Sequence, residues 1–178
     1  MSKQRSIYQL TVADIQPLSP NLRRFVLEGD ELRDFPDGYE GGYVKLVLPH
    51  PGNEGQPVDI EQSIKRSYTV RAVDRTVRRL TLEFAEHDAE GPATRWARNA
   101  KVGSDVSVMG PGPVKMLDPT ADWFLLAGDM TALPAIAVNL SRLPQDACGY
   151  ALIEIVSDQD RQSFKIPDAM DVQWIVNP

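Results

Sequence analysis

Short stretches of alternating apolar and polar residues dominate the first two thirds of the chain. Alternation rich in β-branched and aromatic residues, between Gly-, Pro- and Asn-bearing turns, is typical of half-buried strands. In the segment Leu80-Thr81-Leu82-Glu83-Phe84 every even position is apolar. We predict six such strands, with the first two joined by a turn at residues 16–21, and together they indicate a six-stranded antiparallel Greek-key barrel. The predicted strands cover residues 8–12, 22–28, 42–48, 65–73, 80–84 and 105–109.

One helical pattern interrupts the predicted strands. Gly91-Pro92 marks its start, because proline suits the first helical position, and Ala93, Trp96 and Ala97 follow at helical spacing. A helix that begins there turns free backbone N–H groups and its positive dipole end outward, which favours a phosphate. The alternative is a connecting helix that closes one barrel end with Trp96. The two interpretations are compatible.

The pattern changes after residue 119. Residues 123–128 form a continuous apolar run, as in a parallel strand that is buried on both faces. A helical stripe at 132–143 and apolar runs at 150–156 and 172–176 then predict the opening of an α/β sheet. We therefore predict a barrel domain at 1–116 and a nucleotide-binding type of α/β domain at 117–178. Because so few parallel strands bury little surface, we expect this sheet to be C-terminally incomplete.

Composition excludes several classes of function. The net charge of −6 and the pI near 4.9 argue against nucleic acid as the main partner. No apolar run reaches the roughly 18 residues that span a bilayer, so we expect no membrane insertion. The single cysteine, Cys148, excludes an internal disulfide and fits a reducing cytoplasm. With only His50 and His87 available, we predict no metal site.

Residues 65–79 carry a net positive charge, with six basic residues and one acid, Asp74. The strand within this region reads Lys65-Arg66-Ser67-Tyr68-Thr69-Val70-Arg71. Arginine can fork onto a pyrophosphate, tyrosine can lie against a flat heterocycle, and a hydroxyl can bond a ring nitrogen or carbonyl. These properties predict a site for a phosphate-bearing aromatic cofactor. An exposed edge strand, whose Lys and Arg discourage aggregation, explains the segment equally well.

A barrel with Arg-x-Tyr-Thr at 66–69, followed by an α/β domain, resembles the ferredoxin–NADP reductase superfamily, in which this strand binds a flavin. Residues 87–97 are similar to the His-x-x-x-Gly-Pro-Ala-x-x-Trp-Ala segment of siderophore-interacting proteins, and residues 128–136 to their Gly-Asp-Glu-Thr-Ala-Leu-Pro-Ala-Ile. Residues 158–164 resemble the acidic segment that follows the next strand in siderophore-interacting proteins. Met130 and Asp88 depart from the family's usual Glu and Gly. The ordered set makes the resemblance specific.

That family consists of cytoplasmic FAD-containing reductases that release iron from ferric siderophores, with electrons from NAD(P)H or a ferredoxin-like donor. The resemblance implies that Arg66 holds the FAD phosphates, that Tyr68 packs on the isoalloxazine, and that Thr69 lies near ring atom N5 as the catalytic contact. Arg71 is implied to assist at phosphate or ribityl oxygens, and with Lys65 to attract the anionic ferric siderophore. The whole implied cofactor-binding set is Arg66, Ser67, Tyr68, Thr69, Val70, Arg71, His87, Gly91, Pro92, Ala93, Thr94, Asp129, Thr131 and Ala132.

Two features limit these implied roles. Strand alternation places Arg66 and Tyr68 on one face and Thr69 on the other, so the implied roles need the strand to end or bend here, or Thr69 to act through its backbone. No Gly-x-Gly-x-x-Gly follows Gly128, so the fingerprint does not support dinucleotide binding at that turn. Two alternatives stay open: an NAD(P)H-dependent flavin or quinone reductase unrelated to iron, and a flavin- or siderophore-binding module without turnover.

Overall fold

The computed structural model describes residues 6–53, 59–86 and 91–178. This part of the chain contains ten strands and two α-helices, α1 at Pro92–Asn99 and α2 at Leu133–Arg142. The strands of the first sheet are β1 Ser6–Ser19, β2 Leu22–Glu28, β3 Tyr43–Leu48, β4 Ile64–Thr69, β5 Ala72–Asp74, β6 Arg79–Ala85 and β7 Asp105–Gly110. Those of the second sheet are β8 Phe124–Gly128, β9 Cys148–Ile155 and β10 Ala169–Val176. Neither described helix is long and apolar enough to cross a bilayer.

The first sheet is antiparallel, with the order β4-β3-β7-β1-β2-β6-β5. Its two edge strands, β4 and β5, are consecutive in the chain and are joined by Val70 and Arg71. The backbone of Val70 continues the pairing with the β3 side through Gly41 and Gly42, at 2.9 Å each, while the Arg71 N–H bonds the Thr81 carbonyl of β6 at 3.0 Å. β4 and β5 therefore act as one bent strand that closes the sheet. The predicted six-stranded barrel is confirmed.

The first strand is longer than its pattern indicated. β1 continues to Ser19 and pairs with β2 as far as Ser19 opposite Leu22, so the turn occupies residues 20–21 and the predicted span of 16–21 is too long. A proline inside a strand weighs against that assignment unless it lies at an edge or a bulge. Pro17 lies beside a register shift between Pro17 and Ser19, which accommodates it.

The barrel core is apolar and closed at one side by α1. Ala93 and Ala97 of α1 belong to this core, and Trp96 packs against it. The Trp96 ring lies 5.3 Å from Phe25 and 5.7 Å from Phe84, measured between ring centroids. The predicted helix start at Pro92 and the predicted packing of Trp96 are both confirmed.

The second sheet is parallel, with the order β10-β9-β8, and α2 crosses between β8 and β9. α2 buries the stripe that its sequence predicted, including Leu133, Ile136 and Leu140. The prediction that β8 is buried on both faces is wrong. Leu125 is 56% exposed and its neighbour Tyr150 is 42% exposed. The reason is that α2, the one described crossover helix, covers a single face.

The barrel and the α/β unit meet at two seams. At one, Leu22 of β2 is buried in the apolar cluster of the second sheet, and the Asp160 carboxylate binds the β1–β2 turn. At the other, Arg142 at the end of α2 pairs with Glu40 at 2.7 Å. The architecture of a barrel followed by a parallel α/β unit is confirmed. A domain boundary between residues 116 and 117 stays a prediction.

Candidate functional site

The two faces of β4 carry different side chains of the predicted site. In the antiparallel pairing with β3, Tyr68 lies opposite Val44 and Arg66 opposite Leu46. Directly opposed residues share a face, and Val44 and Leu46 are fully buried. Arg66 and Tyr68 therefore emerge on the core side of the sheet. Thr69 lies on the opposite face, as alternation predicted, and there β4 ends and the strand bends.

Tyr68 is half-buried and packs against the barrel core. Its ring stacks on Phe84, with centroids 3.9 Å apart and 26° between the planes. Burial raises the pKa of Tyr68 to about 12, against the opposing effect of the Arg66 charge. The side chain is therefore a neutral phenol at physiological pH. It offers a flat uncharged surface of the kind that a flavin ring packs on.

Arg66 is exposed, and most N–H donors of its guanidinium have no hydrogen-bond partner among the described residues. Its Nη1 donates to the backbone carbonyl of Lys65 at 3.1 Å. Within the described residues, no carboxylate lies at ion-pair distance from this guanidinium. A guanidinium with one backbone hydrogen bond keeps enough donors for a forked contact with a phosphate.

The other two cations of the strand have protein partners. The Lys65 ammonium donates to the carbonyls of Ile60 and Ser63 and to the Ser63 hydroxyl. The Arg71 Nε lies 3.5 Å from the Glu83 carboxylate. Lys65 is thus tied to the preceding loop and Arg71 is compensated by an acid. Their predicted attraction for an anionic substrate, and the contact of Arg71 with the cofactor, stay predictions.

Glu83 is a charged residue of this region that the pattern did not single out. Its side chain is 5% exposed, and Arg24 binds it through Nη2 at 2.7 Å and Nε at 3.1 Å. Arg24 and Glu83 are direct partners across β2 and β6. A carboxylate this buried needs such compensation. The only sequence signal was an acid within the alternating strand, and the pairing register that explains it is not readable from one strand.

At the start of α1, the described residues provide no side-chain partner for the free backbone donors. Gly91 precedes the helix in an extended conformation, Pro92 occupies the first turn, and no described side chain caps it. Ala93 and Thr94 are buried, so the N–H groups of this turn are held in place by the packing of their own side chains. Such an end suits a phosphate. His87 lies outside the described residues, and its predicted role stays a prediction.

The turn before α2 is different, because the Asp129 carboxylate binds its donors. The Asp129 carboxylate accepts hydrogen bonds from the Thr131 N–H at 2.8 Å, the Thr131 hydroxyl at 2.6 Å and the Ala132 N–H at 3.2 Å. The hydrogen bond from the Thr131 hydroxyl, more than any other contact, holds the pKa of Asp129 below its usual value. A protein carboxylate thus already binds the backbone N–H groups of residues 131 and 132, just before α2. This agrees with the missing glycine fingerprint, and contacts of Asp129, Thr131 and Ala132 with FAD stay predictions.

The bent strand and α2 meet at Gly41. The Gly41 N–H bonds the Val70 carbonyl at 2.9 Å. A side chain at Gly41 would lie 3.1 Å from a methyl group of Val138 in α2, and the residue has a φ of +85°. The positive φ therefore favours glycine, and a side chain here would also press against Val138. This places the end of β4 at the seam between the barrel and the α/β unit.

Two family models match this chain. Residues 11–115 match the siderophore-interacting FAD-binding domain, and residues 121–178 match the siderophore-interacting protein model. The chain belongs to the siderophore-interacting protein family. Among the described residues of this family member, no group of three or more His, Cys, Asp or Glu side chains is placed to hold a metal ion.

Curated relatives of this siderophore-interacting protein are longer than the chain. An uncharacterised protein of Mycobacterium tuberculosis is 36% identical over 185 residues, which cover 96% of this chain and 65% of the relative. The ferric vibriobactin reductase ViuB of Vibrio cholerae is 33% identical over 170 residues, which cover 89% of this chain and 62% of the relative. The chain therefore spans a little under two thirds of the length of these relatives.

Solved structures give the same family and a wider fold group. The siderophore-interacting protein SipS of Aeromonas hydrophila superposes with a TM-score of 0.88 at 36% identity, over 98% of this chain and 69% of that one. A siderophore utilization protein from T. fusca gives 0.84 at 30% identity, over 98% and 70%. Ferredoxin-NADP+ reductase of Plasmodium falciparum gives 0.67 at 13% identity, over 96% and 72%, which shows a shared fold alone.

Proposed function

We propose that this siderophore-interacting protein binds FAD at β4 and α1 and reduces ferric siderophores, so that iron is released as Fe(II) in the cytoplasm. The observation that carries the proposal is the pair on the core-side face of β4. The Arg66 guanidinium has no described carboxylate partner, and it shares that face with the neutral, half-buried ring of Tyr68. A cation for phosphate beside a flat ring for a heterocycle fits a flavin dinucleotide.

Each residue of the proposed site has a defined task. Arg66 forks onto the pyrophosphate, and the backbone N–H groups at the start of α1, near Gly91, Ala93 and Thr94, add donors to it. Tyr68 supports the isoalloxazine. Thr69, at the bend and on the opposite face, contacts the edge of the ring through its hydroxyl or its backbone. These groups bind and orient, and the site needs no general acid or nucleophile from the protein.

FAD, when bound, supplies redox chemistry that accepts electrons in a pair and passes them on singly, which suits a one-electron metal acceptor. Reduction lowers the charge of the iron and weakens its attraction to anionic oxygen ligands. Similarity to ViuB, which is named a ferric vibriobactin reductase, supports a ferric siderophore as substrate. The shared fold with ferredoxin-NADP+ reductases supports NAD(P)H or a ferredoxin-like protein as donor.

The test uses the visible spectrum and an iron trap. Purified protein supplied with FAD should show protein-bound flavin bands that bleach with NADH, NADPH or a reduced ferredoxin. A ferric siderophore with a ferrous chelator should then give the coloured ferrous complex and reoxidise the flavin. Protein that retains no flavin after incubation with excess FAD and removal of the free FAD would overturn the proposal.

Two other outcomes identify the alternatives. Reduced flavin that turns over quinones while ferric chelates stay untouched would indicate a flavin or quinone reductase. Bleaching by dithionite, but by no nicotinamide or ferredoxin donor, would indicate a binding module without turnover. Either result would replace the ferric-siderophore reductase as the proposed function.

A further inference from the structure

A buried aromatic side chain lies directly behind Tyr68. Phe84 of β6 is 2% exposed, and its ring stacks on that of Tyr68 at 3.9 Å. β4 and β6 are not hydrogen-bonded neighbours in the sheet; they come together where the bent strand closes the barrel. The closure therefore brings Phe84 against the proposed flavin-bearing ring, although the two residues belong to separate strands.

Phe84 also packs against two further aromatic rings of the barrel core. Phe25 lies 4.7 Å from it with 55° between the ring planes, and Trp96 of α1 lies 5.7 Å from it at 32°. Phe25 is fully buried, and Trp96 packs against the same core. In a close-packed interior such a ring cannot shift without moving its neighbours. Phe84 is thus a fixed support rather than an adaptable one.

We propose that Phe84 is a positioning residue for the flavin. Its ring fixes the angle and depth at which Tyr68 presents its surface, and so sets the stacking of Tyr68 on the isoalloxazine. This inference rests on the proposed binding of FAD to Tyr68. Without the supporting ring, the Tyr68 side chain gains room to rotate towards the barrel interior, and the offset stacking that aromatic pairs prefer is lost.

The physical effect is distinct from that of Arg66. Phe84 has no polar atom and contacts Tyr68 through its ring face alone, so it contributes shape and not charge. FAD should therefore still bind when Phe84 is shortened, because its phosphate contacts remain. What changes is the environment of the isoalloxazine, which is reported by the fluorescence of bound FAD and by its midpoint potential.

The matched pair for the test is Phe84→Leu and Phe35→Leu. Both remove a buried ring from the barrel core, but Phe35 forms ring pairs with Tyr8 and Tyr39 and not with Phe84 or Tyr68. We expect similar losses of thermal stability in the two variants. Only Phe84→Leu should raise the fluorescence of saturating bound FAD, by about twofold or more, because stacking on an aromatic ring quenches it. Only this variant should also shift the midpoint potential.

A double variant shows whether Phe84 acts through Tyr68. In a Tyr68→Leu background, adding Phe84→Leu should change neither the fluorescence nor the potential further, since residues that act as a unit are not additive. Phe84→Met replaces the leucine variant in every arm if the latter does not fold. Equal spectral changes in Phe84→Leu and Phe35→Leu, or none in Phe84→Leu, would overturn the inference while FAD binding stands. Failure of the unaltered protein to bind FAD would overturn the proposed function itself, and the inference with it.

Discussion

Arg66 is the side chain whose removal tests the flavin site most directly. We expect Arg66→Ala to weaken FAD binding, because it removes a charge-assisted contact of about 1.5–3 kcal/mol, or about 10- to 150-fold in Kd. A fluorescence titration with FAD measures the change. The matched control is Arg79→Ala, since Arg79 is an exposed arginine of the same sheet that pairs with Glu28. Equal affinity of the Arg66 variant and the unaltered protein would show that β4 does not bind the phosphates.

At the residue scale, the sequence predicted the types of side chain in the site better than their partners. Arg66 and Tyr68 followed from the chemistry of a cationic strand with one ring, and strand alternation placed Thr69 on the other face. Lys65 and Arg71 were counted with Arg66 as cations of one field. Their binding to the loop carbonyls and to Glu83 depends on contacts that charge counting does not include.

At the scale of the element, local patterns predicted most bounds because propensity and burial agree there. β2 and α1 begin at the predicted residues, and β6 and α2 differ from the prediction by a residue at each end. β1 was predicted too short because Pro17 reads as a turn signal, whereas pairing with β2 and a bulge keep it extended. The burial of β8 depends on what covers the sheet, and a strand's own sequence does not report that.

Helix α1 closes the barrel core, and we predict how much its Trp96 contributes to stability. We expect Trp96→Ala to lower the free energy of unfolding by about 3 kcal/mol, the lower end for removal of a large aromatic side chain, since Trp96 is only partly buried. Denaturant unfolding measures the loss. Val102→Ala is the control, because Val102 is 67% exposed just after α1, and it should change stability by less than about 0.5 kcal/mol. An unaltered midpoint for the Trp96 variant would mean that α1 does not close the core.

At the scale of the whole molecule, one buried carboxylate joins the barrel to the α/β unit. Asp160, fully buried after β9, accepts hydrogen bonds from the Ser19 hydroxyl at 2.6 Å and from the Asn21 N–H and side-chain amide at 3.0 and 2.9 Å. It also accepts the Ser157 N–H of its own turn at 3.0 Å. The sequence showed an acidic segment here, but the partners lie 139 and 141 residues away. Only the folded chain identifies Asp160 as one of the contacts that join the two units.

This contact predicts a stability difference that depends on pH. Burial alone would raise the pKa of Asp160, but the hydrogen bonds from Ser19, Asn21 and Ser157 outweigh it and hold the pKa below its usual value. Its contribution is therefore complete above the unfolded-state pKa of about 3.9 and is lost as the pH falls through the lower folded-state pKa. We expect Asp160→Asn to reduce the free energy of unfolding at pH 7 by about 1.5–3 kcal/mol.

The difference in free energy of unfolding between Asp160→Asn and the unaltered protein should shrink as the pH falls towards about 3, below the unfolded-state pKa. Urea unfolding repeated across this pH range measures it. Asp158→Asn provides the control in the same turn, because the Asp158 side chain is 73% exposed and pairs only with nearby Arg161 among the described residues. An exposed pair of this kind contributes about 0–1 kcal/mol. A constant difference between Asp160→Asn and the unaltered protein across this pH range would show that the negative charge of Asp160 does not join the barrel to the α/β unit.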